Sequence, residues 1–192
     1  MSERVVTMPD SHFMKLVAQR YSLRRYDPAR EVSEQDLLSM IEAARLAPSA
    51  GNSQPWRIVV VRDPELRQSL YRHGVGGFPN RFVRDAPIVI VLCADLKIHY
   101  TRLAERVRSL SYHQIDVAIA GEHLVLRAAE LGIGTCWIGW FNARQVKKAL
   151  ALPDRFKVIA LITVGYPKEG RSAAVRKRLS RCQIMRYDRW GT

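Results

Sequence analysis

The apolar positions of this chain change their period several times. Over residues 10–20, DSHFMKLVAQR, Phe13, Leu16 and Val17 share one helical face, with Asp10 or Ser11 placed as the cap. Over 33–47, Leu37, Leu38, Ile41, Ala44 and Leu46 form a second helical stripe behind the capping-box-like start SEQD. Pro48 ends that stripe, because proline disfavours the α conformation at the residue before it. Continuous aliphatic runs at 56–62, 87–94 and 157–165 predict strands buried on both faces. Between them, Asp63-Pro64-Glu65 caps a helix to about residue 73, and GVGGFPN reads as a flexible loop. Residues 97–112 are basic and weakly amphipathic. Residues 113–131 form the strongest helix candidate. Val117, Ala120, Gly121, Leu124, Ala128 and Leu131 share a face, while Ile119, Val125 and Leu126 make the other side apolar too. Such a helix is central or lies at an interface. Asn142 caps a short helix to about 150, and the tail after Tyr166-Pro167 has little periodicity. Alternating helices and strands predict one α/β-type domain over 1–192, with a trailing arm at 168–192.

Composition adds bounds. The 192 residues are 47% hydrophobic, enough for a sizeable core. No apolar run approaches the length of a bilayer span, and MSERVVTMPDSHF lacks a signal-peptide core, so a soluble cytoplasmic protein is expected. Cys93, Cys136 and Cys182 lie more than forty residues apart, with no CxxC pair and no His/Cys cluster. No metal site is expected, and the odd cysteine count suits a reducing compartment. The net charge is +13, and the arm alone carries eight basic residues against two acidic ones. Composition leaves three roles open for the arm: a solvated tail, a nucleic-acid contact or a clamp on a phosphorylated ligand.

Catalytic signatures are missing: there is no GxGxxG after a strand, no P-loop, no GxSxG and no HExxH. The five histidines share no pattern, and Asp116 reads as a helix-start carboxylate or a structural partner. What remains are polar loops between apolar elements. RYSLRRY offers Arg20, Tyr21, Ser22, Arg24 and Arg25, and arginine forks suit phosphate. PSAGNSQPW offers Ser49, Asn52, Ser53 and Gln54, whose amides both donate and accept, as a heterocycle edge requires. TCWIGWF offers a glycine where a flat ligand can approach the backbone. Together they suggest a cofactor with a phosphate at one end and a polar ring at the other.

Four motifs in order, QRYSLRRYD, AARLAPSAGNSQPW, LGIGTCWIGWF and VGYP before VRKRL, resemble the FMN-dependent nitroreductase family from about residue 15 to 180. The resemblance implies an α+β fold with a central, mostly antiparallel sheet flanked by helices, and an intertwined homodimer with two FMN sites at its interface. It places Arg20, Ser22 and Arg24 on the phosphate and ribityl chain, with Tyr21 where the family often has Arg or His. It places Pro48, Ser49, Ala50 and Asn52 on the ring from the partner subunit, with Gln54 in support. The element Ile138, Gly139 and Trp140 would face flavin N5 through the Gly139 N–H. Arg176 and Arg178 would close on the phosphate, with Arg171 in reserve. The implied reaction is ping-pong hydride transfer from NAD(P)H through FMN to a nitroaromatic, quinone or similar acceptor. Trp140, Phe141, Phe78, Phe82 and Tyr112 are candidates for the acceptor pocket, and Arg102, Arg106 and Arg108 for a basic lid. The same resemblance admits reductive dehalogenation or flavin fragmentation. The charge alone admits a nucleic-acid-binding protein instead.

Overall fold

A computed structural model describes residues 11–75, 80–97, 111–168 and 176–190. Helix α1 (His12–Gln19) leads into an extended strap at 22–26, and helix α2 (Glu34–Arg45) follows. The Ser33 side chain caps α2 by accepting from Asp36 N–H. Strand β1 (Trp56–Val61) precedes helix α3 (Pro64–Ser69), which the Asp63 side chain caps through Leu66 N–H. The chain then widens into a π-type turn (Leu70–Val75). Strand β2 (Ile88–Asp95), helix α4 (Tyr112–Glu130), strand β3 (Gly134–Ile138), helix α5 (Ala143–Ala149), strand β4 (Phe156–Gly165) and the short helix α6 (Arg181–Ile184) complete it. Asn142 caps α5 as its sequence suggests, accepting from Gln145 N–H.

The sheet runs β1-β2-β4-β3 with every pair antiparallel, so the architecture is α+β. Alternation alone suggested a parallel α/β arrangement. The antiparallel order given by the family resemblance is the one observed. Strand β2 is buried on both faces because it is central, and its side chains divide by parity. Ile88, Ile90, Leu92 and Ala94 join the core under α2 and α4, while Val89, Val91 and Cys93 join the core under the strap and α5. Each fully buried aliphatic side chain contributes about 1.5–3 kcal/mol.

Three expectations change. Strand β1 is an edge strand with four half-buried interior residues, not a strand buried on both faces. Strand β3 was not foreseen, because its glycine and polar residues hide the alternation that its pairing with β4 reveals. Helix α1 forms, yet none of its residues is buried, and Phe13, Met14 and Val17 stay exposed. Helix α4 does occupy the centre, as its all-round apolarity required. A Cβ on Gly121 would stand 2.4 Å from the Trp137 ring, so glycine is what lets β3 close on it. Gly132 ends α4 in the left-handed region (φ 72), where glycine carries no penalty. Among the described residues no helix is long and apolar enough to cross a membrane, and no cluster of His, Cys, Asp or Glu could hold a metal ion.

Candidate functional site

The strap at 22–26 is welded to the sheet. Leu23 N–H donates to Thr135 O at 2.8 Å, and Asp27 N–H to Tyr166 O at 2.9 Å. Leu23 and Tyr26 point inward and are buried, which turns Ser22, Arg24 and Arg25 outward. The Tyr26 hydroxyl donates to Thr163 Oγ1 (2.6 Å), which donates to the Cys136 carbonyl (3.3 Å). Burial pushes the Tyr26 phenol well up, so it stays a donor. Strap and sheet approach closely only because Gly134 lacks a side chain. A Cβ there would lie 2.2 Å from Leu23 Cδ2.

The basic arm returns to this strap. Arg176 Nη2 donates to Ala18 O at 2.7 Å, satisfying a carbonyl at the end of α1. Burial first, then the charges of Arg20 and Arg178, push the Arg176 guanidinium down from its ordinary value. The arm thus brings Arg176 and Arg178 into the electrostatic reach of Arg20, which lies more than 150 residues before them in sequence. Glu122 on α4 answers Arg20, 3.8 Å from its Nε, and also accepts from Trp137 Nε1 at 3.2 Å. Arg24 lies nearby over the Phe82 ring, 5.7 Å from its centroid. The Cys136 thiol donates to Trp137 O at 3.6 Å, and burial pushes it up while the charges of Arg24 and Arg20 pull it back. Tyr21 is half-buried against the core. An open pocket lined by Arg20, Tyr21, Gly134 and Thr135 adjoins the cluster.

The second group is the loop at 48–54, between α2 and β1. Pro48, Asn52 and Gln54 are exposed, and Ser49 and Ala50 half-buried. Ser49 Oγ accepts from Gln54 N–H (2.9 Å), and Gln54 Nε2 donates to Asn52 Oδ1 (3.1 Å). Gly51, Asn52 and Gln54 all have positive φ, at 57°, 53° and 48°. Two non-glycine residues in the left-handed region cost about 1–2 kcal/mol each, so something must hold them. The anchor is Asp116 on α4, which accepts from Ala50 N–H at 3.0 Å and from the Ser53 hydroxyl at 3.4 Å.

The third group follows β3. Ile138 is buried, Gly139 exposed, and Trp140 82% exposed. A Cβ on Gly139 would meet nothing within 4 Å, so its backbone faces open space. The turn is braced behind: Asn80 Nδ2 donates to Trp140 O at 3.1 Å, and Asn142 N–H to Gly74 O at 2.6 Å. Asn80 is the site residue the sequence did not single out, and Asp116, read there as a helix-start carboxylate or a structural partner, is a structural partner of the loop. An Asn after FP in a glycine-rich loop carries no periodic signal, and Asp116 looks like any acid near a helix start.

The arginine cluster is brought together within one chain, whereas the loop and the Gly139 turn are not. The loop enters β1 at one sheet edge and the turn leaves β3 at the other, three strand spacings or about 14 Å away. Phe82 is buried beneath Arg24 and lines no open pocket, whereas Phe141 is half-buried and lines an open pocket together with Trp140, Tyr71 and Asn142. Tyr112 is half-buried at the start of α4. Phe78, Arg102, Arg106, Arg108 and Arg171 lie outside the described residues.

A cationic strap, a polar loop and an open backbone turn on a helix-flanked antiparallel sheet fit a phosphorylated planar ligand. The chain belongs to the Nitroreductase family, whose model matches residues 17–80 and 75–166. It is 32% identical to an NADH dehydrogenase from Thermus thermophilus, over 94% of this chain and 98% of that one. A nitroreductase family protein from Clostridium difficile 630 superimposes with a TM-score of 0.81 at 28% identity, covering 94% of this chain and all of the other. An FMN-dependent nitroreductase from Clostridium difficile R20291 superimposes at 0.76 with 26% identity, over 92% of this chain and 99% of its own.

Proposed function

We propose that this protein is an FMN-dependent oxidoreductase that takes hydride from NAD(P)H and delivers it to a nitroaromatic, quinone or similar acceptor. The return of the basic arm to the strap, where Arg176 bonds the end of α1 and feels the charge of Arg20, carries the reading. A phosphate monoester brings −1.5 to −2 charges to such a place, and guanidinium forks bind it in pairs.

Arg20, Ser22, Arg24, Arg176 and Arg178 hold the phosphate end, with Tyr21 contributing backbone. The Gly139 N–H, on an open face that no side chain obstructs, orients the ring at N5, and Ile138 and Trp140 flank it. Pro48, Ser49, Ala50 and Asn52, supported by Gln54, serve the ring from a second copy of the chain. The 14 Å between sheet edges favours that division, since one copy does not bring both groups to one place. So do the apolar faces left uncovered, Phe13, Met14 and Val17 on α1 and Leu179, Ile184, Met185, Tyr187 and Trp190 in the arm, which suit a homodimer. Bound there, FMN supplies the redox chemistry, accepting two electrons as hydride and passing them on. The chain contributes binding and orientation, and Trp140 gives a flat acceptor a surface to stack on. No side chain is required as acid, base or nucleophile.

The test is spectroscopic. Purified protein should be yellow, or should take up added FMN with flavin absorbance, and should elute as a dimer. Colourless protein that binds no FMN overturns the proposal. R20A and R176A should each weaken FMN binding about tenfold to a hundredfold, the worth of a charge-assisted hydrogen bond, while leaving riboflavin binding nearly unchanged.

A further inference from the structure

Asp116 is 3% exposed. It sits five residues into α4, past the first turn where an acid would answer the helix dipole, and Ser111 occupies the cap. Its two protein contacts are both with the loop, Ala50 N–H and the Ser53 hydroxyl, and no ion pair engages it among the described residues. A carboxylate offers about four acceptor positions, and burying one without a cation is costly. A neutral asparagine could accept from the same Ala50 N–H. The charge therefore does something that the contact alone does not require.

We infer that Asp116 is a positioning residue for the bound ring, acting in two ways. It holds the loop in its left-handed conformation by taking both donors inward. It also fixes a negative charge directly beneath the loop, and this charge opposes the added negative charge of the reduced ring and keeps its potential low. The inference rests on the proposed function, because it takes the loop at 48–54 as the ring's seat.

Three variants test it. D116N keeps an acceptor for Ala50 N–H and removes the charge. D116A removes both. S53A, at a half-buried loop position away from the core, removes one donor and keeps the charge. FMN dissociation constants, thermal midpoints of the apoprotein and flavin potentials are measured for each. D116N should bind FMN within about threefold of wild type. It should favour reduced over oxidised flavin by about tenfold more than wild type, a rise of about 30 mV for a two-electron couple. D116A should weaken FMN binding at least tenfold, with D116N restoring most of that loss. S53A should weaken binding a few-fold with the potential unchanged. If D116N and wild type share one potential, the electrostatic role is overturned. If D116A lowers the apoprotein midpoint yet binds FMN normally, Asp116 is structural only. If D116A does not fold, the D116N potential and the S53A affinity still decide. Failure of wild-type protein to bind FMN would instead refute the proposed function, a distinct outcome.

Discussion

The strap at 22–26 and the loop at 48–54 both present polar groups from between apolar elements and are built in opposite ways. The strap is fastened to β3 and β4 by backbone hydrogen bonds, by the buried Tyr26–Thr163–Cys136 relay and by a glycine that lets Leu23 press against the sheet. Its conformation follows from packing, so its arginines are presented from a rigid base. The loop has little packing of its own. It is held by bonds among Ser49, Asn52 and Gln54 and from outside by Asp116, with Arg57 donating to the Gln54 carbonyl, against two unfavourable backbone conformations. Stability and ligand binding should therefore be coupled in the strap and separable in the loop.

The largest effect expected falls on the strap. G134A places a Cβ 2.2 Å from Leu23 Cδ2 and 2.8 Å from Leu23 Cβ, so Leu23 and the backbone carrying it must move. Overpacking of this kind costs about 1–3 kcal/mol, and because Ser22 and Arg24 flank Leu23, FMN affinity should fall with the melting temperature. G139A is the control, since its Cβ would meet nothing. Its apoprotein should melt within about 0.5 kcal/mol of wild type, while its ring binding and turnover suffer. Equal melting temperatures for the two variants would break the contrast.

The same contrast explains what the sequence disclosed. Helix α4, the caps at Ser33, Asp63 and Asn142, and strands β2 and β4 follow from local chemistry and periodicity, and they stand where the pattern put them. The edge status of β1 and the existence of β3 depend on which strands pair, which no window of residues contains. The arginines of the strap stood out by residue type as candidates for phosphate. The resemblance put Arg176 and Arg178 on the phosphate, and that Arg176 reaches the Ala18 carbonyl followed from no spacing rule. Asp116 was legible as a structural partner but not as a partner of this loop, and Asn80 escaped notice because its partner is a backbone carbonyl.

A smaller effect, of the opposite kind, is expected in the loop. Asn52 lies at φ 53°, where glycine carries no steric penalty. N52G removes that strain and also the Oδ1 acceptor that Gln54 uses, although the Asn52 carbonyl at 3.3 Å remains to Gln54. The two changes nearly offset in stability, and the apoprotein should stay within about 1 kcal/mol of wild type. FMN affinity should nevertheless drop, because the amide that the proposed function assigns to the ring is gone. Calorimetry of the apoprotein beside flavin titration checks this. A parallel fall in both would place the loop in the same class as the strap.

The smallest effect concerns the thiols behind the two regions. Cys93 and Cys136 are buried and Cys182 is exposed. Burial pushes the Cys93 thiol up to about 11, with the Lys147 charge opposing weakly, and burial pushes Cys136 up as well. A thiol whose folded value is raised binds its proton more tightly folded than unfolded. Its contribution to stability is complete below about pH 9, the ordinary value for the group, and is lost as the pH rises towards 11. Denaturant midpoints measured from pH 8 to 11 should fall over that interval, and C93A should flatten the fall. At pH 8 a thiol reagent should modify Cys182 alone in the folded protein. Cys136 lies under the strap, and the charges of Arg20 and Arg24 are what draw its thiol back down. An anion seated on those arginines cancels that pull, so saturating phosphate or FMN should slow any labelling of Cys136 further and leave Cys93 unaffected. If Cys93 slows equally, the protection is general stabilisation and not the strap's own charge.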